Sequence, residues 1–333
     1  MAPSPSFCAC SLPERPLRVG VIGVGHLGLR HAEIYARMRN VRLAAVCDLD
    51  RRKAVSVAKA LRCSAFTDYR ELIGRVDAAS LAVPTSRHAA LGLPLVRRGI
   101  HLLIEKPIAT TLAQAHTLIR TARRRNCVLQ IGHVERFNAA IRAAMRYLTR
   151  PRFIEVHRLS PYPYRGTDVS VVLDVMIHDL DLILWLVRSP IRRVEAIGVP
   201  VLSPSEDIAN ARLVFASGCL ANLTASRISE EPVRRIRVFQ EDRYLSIDYK
   251  AQTVELAHKQ GRGIRRVQLP VNRRPPLQDE LASFVQAILR HRSPEVSGED
   301  GRAALALALR IEHAMRHFRN RPRSTVHRPQ KRH

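Results

Sequence analysis

Long apolar runs are missing from this 333-residue chain. No segment approaches the roughly 20 apolar residues needed to cross a bilayer, so membrane insertion is not expected. Cysteine is sparse too. Cys8, Cys10, Cys47, Cys63, Cys127 and Cys219 show no paired metal-type spacing, and the opening "MAPSPSFCACSLPERP" has neither a basic region nor the long apolar stretch of a secretory signal. The expectation is a soluble, cytoplasmic protein with reduced thiols. Acidic residues are the third scarcity: 29 Asp+Glu face 55 Lys+Arg, leaving a net charge of +26. Such an excess raises nucleic acid as a partner. The cations are nearly all Arg, however, and are scattered through both halves, and no nucleic-acid module is recognisable. The stretch "RNRPRSTVHRPQKRH" carries six of them without an acid. It reads as a basic, disordered tail, so no specific nucleic-acid partner is expected; a positive field would equally attract a diphosphate.

What is present is alternation. "LRVGVIG" is a short β-branched run ending in glycine, as a buried parallel strand does, and "HLGLRHAEIYARMRN" follows with helical spacing at Leu27, Ile34, Tyr35 and Met38. Strand-like and helix-like segments then alternate for about 115 residues, the pattern of a doubly wound parallel sheet. Near residue 150 the pattern changes to longer extended segments with short polar connections, which suit a largely antiparallel sheet. The last two helical segments, "LQDELASFVQAILRH" and "EDGRAALALALRIEHAMRHF", are expected to close that second unit. The fold class is therefore α/β: an N-terminal Rossmann doubly wound parallel sheet plus a C-terminal α/β domain with a largely antiparallel open sheet. The expected organisation is a leader at 1–16, a nucleotide-binding domain at 17–135, a substrate and oligomerisation domain at 136–318 and the tail at 319–333.

Three stretches carry chemistry. "VIGVGHLG" places Gly23, Gly25 and Gly28 in G-x-G-x-x-G register between the first strand and first helix. There the glycines allow a tight turn, close approach of a pyrophosphate and close helix packing, with the helix N-terminus facing the anion. Asp48 stands about 20 residues further on, where a carboxylate accepts from ribose hydroxyls, which favours NAD over NADP. Lys106, in "IEKPIA", sits at the carboxyl edge of the sheet, held extended by Pro107. In "VVLDVMIHDLDL", Asp174 and His178 are four apart and share a helix face, so the carboxylate can raise the basicity of the imidazole. Asp181 shares the face of Asp174, whereas Asp179 points elsewhere. No second His/Cys cluster stands at ligand spacing, so no metal is expected.

Taken together, "GVGHLG", "EKP" and "LDVMIHDLD" in this order resemble the Gfo/Idh/MocA oxidoreductase family over roughly residues 17–318. The resemblance implies a Rossmann domain followed by an α/β domain whose open sheet forms a homo-oligomer interface, in a dimer or tetramer. It implies that Lys106, Asp174 and His178 meet at a substrate hydroxyl, and that His26, Leu27, Pro84, Thr85, His88 and Glu105 join Gly23, Gly25, Gly28, Asp48 and Lys106 around the cofactor. Longer stretches, among them "GHVERFNAAI" and "RFIEVHRLSPYPYRGTDVSVVLDVMIHDLDL", are similar to the bacterial UDP-N-acetylglucosamine 3-dehydrogenase group, which serves amino-sugar synthesis for lipid A. Two positions depart from that pattern: Ala139 replaces an expected Pro, and Ser170 an expected Asp.

The activity so implied is NAD-dependent oxidation of a hydroxyl on a nucleotide-sugar substrate. His178 would take the proton, Asp174 would orient it and Lys106 would hold the oxygen that becomes a carbonyl. A diphosphate needs cations, and Arg136, Arg158, Arg165 and Arg227 are the candidates, since Arg binds phosphate in bidentate fashion. Asn138, Gln130 and His133 are weaker candidates for lining the site. Two other classes fit the motifs: a dehydrogenase of a free polyol such as inositol, and a non-catalytic NAD-binding regulator.

Overall fold

The computed structural model describes residues 15–162 and 169–319. The first half alternates strand and helix: β1 (Leu17–Ile22), α1 (His26–Arg37), β2 (Val41–Cys47), α2 (Arg51–Leu61), β3 (Ser64–Phe66), β4 (Ala78–Leu81), α3 (Thr85–Arg97), β5 (His101–Glu105), α4 (Leu112–Arg124) and β6 (Leu129–Gly132). These strands form one parallel sheet in the order β3-β2-β1-β4-β5-β6. The order reverses between β1 and β4, and a crevice opens there at the carboxyl ends of the strands. Because helices cover both faces, β4 is buried at every position and β1 at all but Arg18.

After α5 (Ala139–Met145) come β7 (Phe153–Leu159), a π turn at Val172–Met176, α6 (Ile177–Val187) and seven further strands: β8 (Ile191–Val199), β9 (Ile208–Phe215), β10 (Leu220–Ser226), β11 (Val233–Phe239), β12 (Arg243–Asp248), β13 (Thr253–Gln260) and β14 (Gly263–Leu269). The eight strands lie in the order β14-β13-β12-β11-β7-β10-β9-β8. All neighbours are antiparallel except β7 and β10, a pair whose partners are too distant in sequence for a hairpin. On β7 and β9 alternate side chains are buried, so one face packs inward with α5, α6 and α8 (Gly298–Arg319) and the other stays open. Two of the long extended segments, 210–228 and 235–249, each divide into two strands, at Ser217–Gly218 and at Glu241–Asp242.

The last two helices do not both close the second unit. α7 (Pro276–Leu289) sets Leu281, Phe284, Val285 and Ile288 into the apolar layer of the first sheet, against Val19, Val21 and Tyr35. α8 packs with β8 and α6 on one side and reaches α4 and β6 on the other, so it ties the halves together.

Arg227, a candidate phosphate ligand from its sequence, is fully buried at the end of β10. Its Nε donates to Asp207 Oδ1 at 2.8 Å, and its Nη2 donates to Ser203 and Ser205. Asp207 in turn accepts the backbone N–H groups of Val201, Leu202 and Ser203. The pair fixes the turn from β8 to β9, and breaking it strands a buried charge. Arg227→Met is therefore expected to destabilise the fold by about 3–5 kcal/mol in urea unfolding. A loss under about 1 kcal/mol, the range of a surface pair, would show that the pair is not what fixes the turn.

Candidate active site

The crevice at the switch point has the shape a dinucleotide needs. Its cavity, about 610 Å³, is lined by Gly23, Gly25, Asp48, Pro84 and Arg87 among others. Gly23 has φ +84°, and a Cβ there would run into the backbone of Ala82. Gly25 faces open space, with nothing within 4 Å of where a Cβ would stand, so an anion can approach its backbone. Gly28 packs directly on the carbonyl of Gly23. Gly25 caps α1 without any side-chain hydrogen bond, and Pro84 caps α3 likewise, so the first turns of both helices are open to phosphate, apart from the Arg87 N–H, which donates to the Pro84 carbonyl.

Asp48 ends β2 inside this crevice. One carboxylate oxygen accepts from Val24 N at 2.8 Å and the other from Asp50 N at 2.9 Å. Each oxygen keeps a lone pair for a ribose hydroxyl. The residues present thus fit a bound dinucleotide. His26 and Leu27 are exposed at the start of α1, and Thr85 is the first residue of α3. Leu27, which helical spacing assigned to the core side, instead lines the neighbouring pocket. His88 does not offer a free nitrogen to a cofactor. It is fully buried, Nδ1 lies 2.8 Å from the Pro107 carbonyl and Nε2 2.9 Å from that of Val83, so it ties together the loops after β4 and β5.

The second pocket, about 270 Å³, lies between the two sheets and is lined by Lys106, His178, Glu105, Arg158, Arg234 and Glu280 among others. Lys106 Nζ donates to the Asp174 carbonyl at 2.6 Å and to its carboxylate at 3.2 Å. The three expected catalytic residues therefore converge, but with different pairing. Asp174 belongs to the π turn, where Ile177 N bonds to Val172 O. The widened turn takes Asp174 out of the four-residue alignment with His178, and its carboxylate goes to Lys106 instead. His178 Nδ1 is buried without a hydrogen-bond partner. Its ring stands edge-on to His133 at 6.5 Å between centroids. Burial, and then the positive charges of Lys106 and Arg158, hold the His178 imidazole well below its ordinary range. It is neutral near pH 7, as a proton acceptor must be.

The other acids of this helix are counterions. Asp179 receives Arg158 Nε at 2.8 Å and the Tyr249 hydroxyl at 2.7 Å. Asp181 does not join Asp174; it receives Arg136 Nε at 2.7 Å and Nη2 at 2.5 Å. Arg136 also faces Asp300, and Arg158 also meets Glu135. Both guanidinium groups, expected to meet a diphosphate, are thus committed to internal carboxylates, although Arg158 still walls the pocket. Asn138 caps α5 by accepting from Ala140 N and donates to the Tyr249 carbonyl, which leaves little for a substrate. Gln130 Nε2 donates to the Glu280 carbonyl. Arg165 lies outside the described residues. Ser170 donates to Glu312 at 2.5 Å; the Asp expected there would face that carboxylate. Sequence reading missed Glu135, Arg234 and Glu280, which spacing cannot place because they come from three distant segments.

Comparison with known proteins gives the same assignment. A profile described as "Oxidoreductase family, NAD-binding Rossmann fold" matches residues 17–133, and one for the Gfo/Idh/MocA C-terminal domain matches residues 114–246. This chain belongs to the Gfo/Idh/MocA oxidoreductase family. UDP-N-acetylglucosamine 3-dehydrogenase of Acidithiobacillus ferrooxidans is 39% identical to this family member over 316 residues, covering 92% of this chain and 99% of the relative. A solved structure of that enzyme superposes with a TM-score of 0.87 at 39% identity, covering 91% of this chain and 99% of the other. Myo-inositol 2-dehydrogenase of Thermotoga maritima is 29% identical, covering 87% of this chain and 94% of the relative. The chain is accordingly an oxidoreductase of a dehydrogenase family with an NAD-binding Rossmann fold.

The two hydrogen bonds at Asp48 give a test of cofactor recognition. Asp48→Ser is expected to weaken NAD binding about tenfold, a loss of about 1.4 kcal/mol, and to weaken NADP binding less. Fluorescence titration with each dinucleotide checks this; an unchanged NAD affinity would remove Asp48 from the ribose site.

Proposed function

We propose that this enzyme oxidises a secondary hydroxyl of a nucleotide sugar with NAD, and that its substrate is UDP-N-acetylglucosamine, converted to the 3-keto derivative. The observation that carries the reading is the meeting of Lys106, Asp174 and a neutral His178 in a pocket beside the dinucleotide crevice. The similarity to the Acidithiobacillus enzyme over nearly its whole length supports the choice of substrate.

The roles follow from charge. Lys106, braced by Asp174, hydrogen-bonds the hydroxyl oxygen and stabilises the negative charge that develops there. His178 takes the proton. Asp174 acts as a positioning residue for Lys106 rather than for His178. Bound NAD supplies the hydride acceptor, and the protein contributes position and electrostatics. Arg234, half-exposed on the pocket wall and only loosely paired with Glu135 at 3.5 Å, is the described cation best placed for a diphosphate; Arg165 remains a candidate beside it. We place the enzyme in the cytoplasm as a homo-oligomer, dimer or tetramer, with its product feeding amino-sugar synthesis for lipid A. No helix among the described residues is long and apolar enough to cross a membrane.

Nicotinamide absorbance with purified protein, NAD and UDP-N-acetylglucosamine, in the presence of a keto-sugar trap, tests the reading. The expected result is a rise that UDP inhibits competitively. A rise with inositol that UDP leaves untouched would move the substrate to a free polyol, and silence with both would favour a non-catalytic regulator. His178→Asn is expected to lower kcat by about 100-fold or more, the scale of general base catalysis, with NAD affinity within about twofold. In the wild type, kcat/KM should rise with pH and level off once His178 is neutral, with a midpoint below about 6.5, the ordinary imidazole value. Persistence of that limb in the variant would take the base role away from His178.

A further inference from the structure

Behind Lys106 lies a group of ionisable side chains that the proposed chemistry does not use. Glu105 on β5, Glu280 on α7 and His31 on α1 each bring one polar atom within 4.8 Å of the others. Glu280 and His31 are fully buried, and none of the Glu280 carboxylate oxygens or His31 ring nitrogens has a hydrogen-bond partner. His31 Nε2 stands 3.2 Å from Glu105 Oε1, out of line for a hydrogen bond. Space for the Glu105 carboxylate exists only because residue 132 is glycine: a Cβ there would lie 2.8 Å from it. Glu105 and Glu280 both line the pocket that holds Lys106 and His178.

Apart from His31, the groups facing Glu280 offer it no positive charge. Glu135 from the turn after β6 and Asp181 from α6 add negative charge, Gln130 on β6 spends its amide N–H on the backbone, and the Tyr35 hydroxyl on α1 is occupied by Ser80. Burial, and then Glu105, raise the Glu280 carboxyl well above the usual range. Two carboxyl groups so placed do not both ionise. A buried acid at the cofactor end of a dehydrogenase pocket has an obvious counter-charge: the nicotinamide ring is cationic when oxidised and neutral when reduced.

We propose that Glu105 and Glu280 share one proton in the free enzyme, release it when the oxidised nicotinamide binds, and take one back when that ring is reduced. The reaction then balances inside the pocket. The substrate C–H bond breaks with its electron pair going to the nicotinamide, the O–H electron pair becomes the second bond of the carbonyl, and the hydroxyl proton passes through His178 to the doubly ionised carboxylate pair. This rests on the dehydrogenase reading above, and the pair is a proton store rather than a group that touches the substrate.

The test needs no substrate. In weakly buffered solution with a pH-indicator dye, adding NAD+ to the whole enzyme at neutral pH should release up to one proton per site, and adding NADH at least fivefold less. Glu280→Gln, which keeps the shape but cannot ionise, should bind NAD+ within about threefold of wild type and abolish the release. Equal release from wild type and variant, or none from wild type, overturns the proposal. Should the variant not fold, infrared difference spectra of wild type decide instead: a protonated carboxylic C=O band must disappear on NAD+ addition, and its persistence is fatal to the idea. One equivalent of divalent metal in the purified protein would also overturn it, by assigning His31, Glu105 and Glu280 to that ion. Proton release with no dehydrogenase activity would sink the oxidation reading and leave the carboxyl pair; activity without proton release would do the reverse.

Discussion

Two arginines hold the candidate catalytic helix, α6, where it is. Arg158, from β7 of the second sheet, reaches Asp179, and Arg136, from the turn after the last strand of the first sheet, reaches Asp181, which lies two residues further along α6. All four side chains are almost entirely buried. Desolvating such charges costs several kcal/mol per ion, so the pairs persist only because each carboxylate oxygen is met by a guanidinium donor or, at Asp179, also by the Tyr249 hydroxyl. What this arrangement secures is direction. One clamp comes from each sheet, so His178, one residue before Asp179, is fixed relative to both the dinucleotide crevice and the substrate pocket.

The same clamps set the electrostatics of the pocket. Lys106 and Arg158 press His178 toward its neutral form, while Glu105, Glu135 and Glu280 line the same space. A base surrounded by cations accepts a proton reluctantly and gives it up readily, and a carboxyl pair within the same cavity is a natural recipient. Lys106 is held by Asp174, through both its carboxylate and its backbone carbonyl. Asp174 lies in the π turn, and it is there that Lys106 reaches its carbonyl.

Much of this was legible in the sequence. The alternation of strand and helix, the glycine register and Asp48 all report local constraints, and each stands where a single strand-turn-helix unit puts it. Asp174 and His178 were found as residues but wrongly paired, because helical spacing assumes a regular turn and nothing in "VVLDVMI" announces the widened one. Arg136, Arg158 and Arg227 were recognised as important cations and assigned to a ligand; whether a guanidinium meets phosphate or carboxylate depends on acids 20 to 45 residues away. α7 has an amphipathic pattern that says it buries one face but not which sheet receives it. Glu280 was illegible for the same reason: its meaning comes from Glu105 and His31, on two other elements.

The basic composition takes on a different sense in this light. Arg18 pairs with Asp77 and Arg142 with Glu295 nearer the surface, and Arg136, Arg158 and Arg227 meet carboxylates inside the protein. Each pair takes up one charge of either sign, so the whole net excess of +26 is left to the remaining cations. A positive exterior around a pocket walled by Arg234 favours anionic small molecules by long-range attraction. On the proposed reading a diphosphate gains from that field while a neutral polyol does not, so the net charge bears on the choice of substrate.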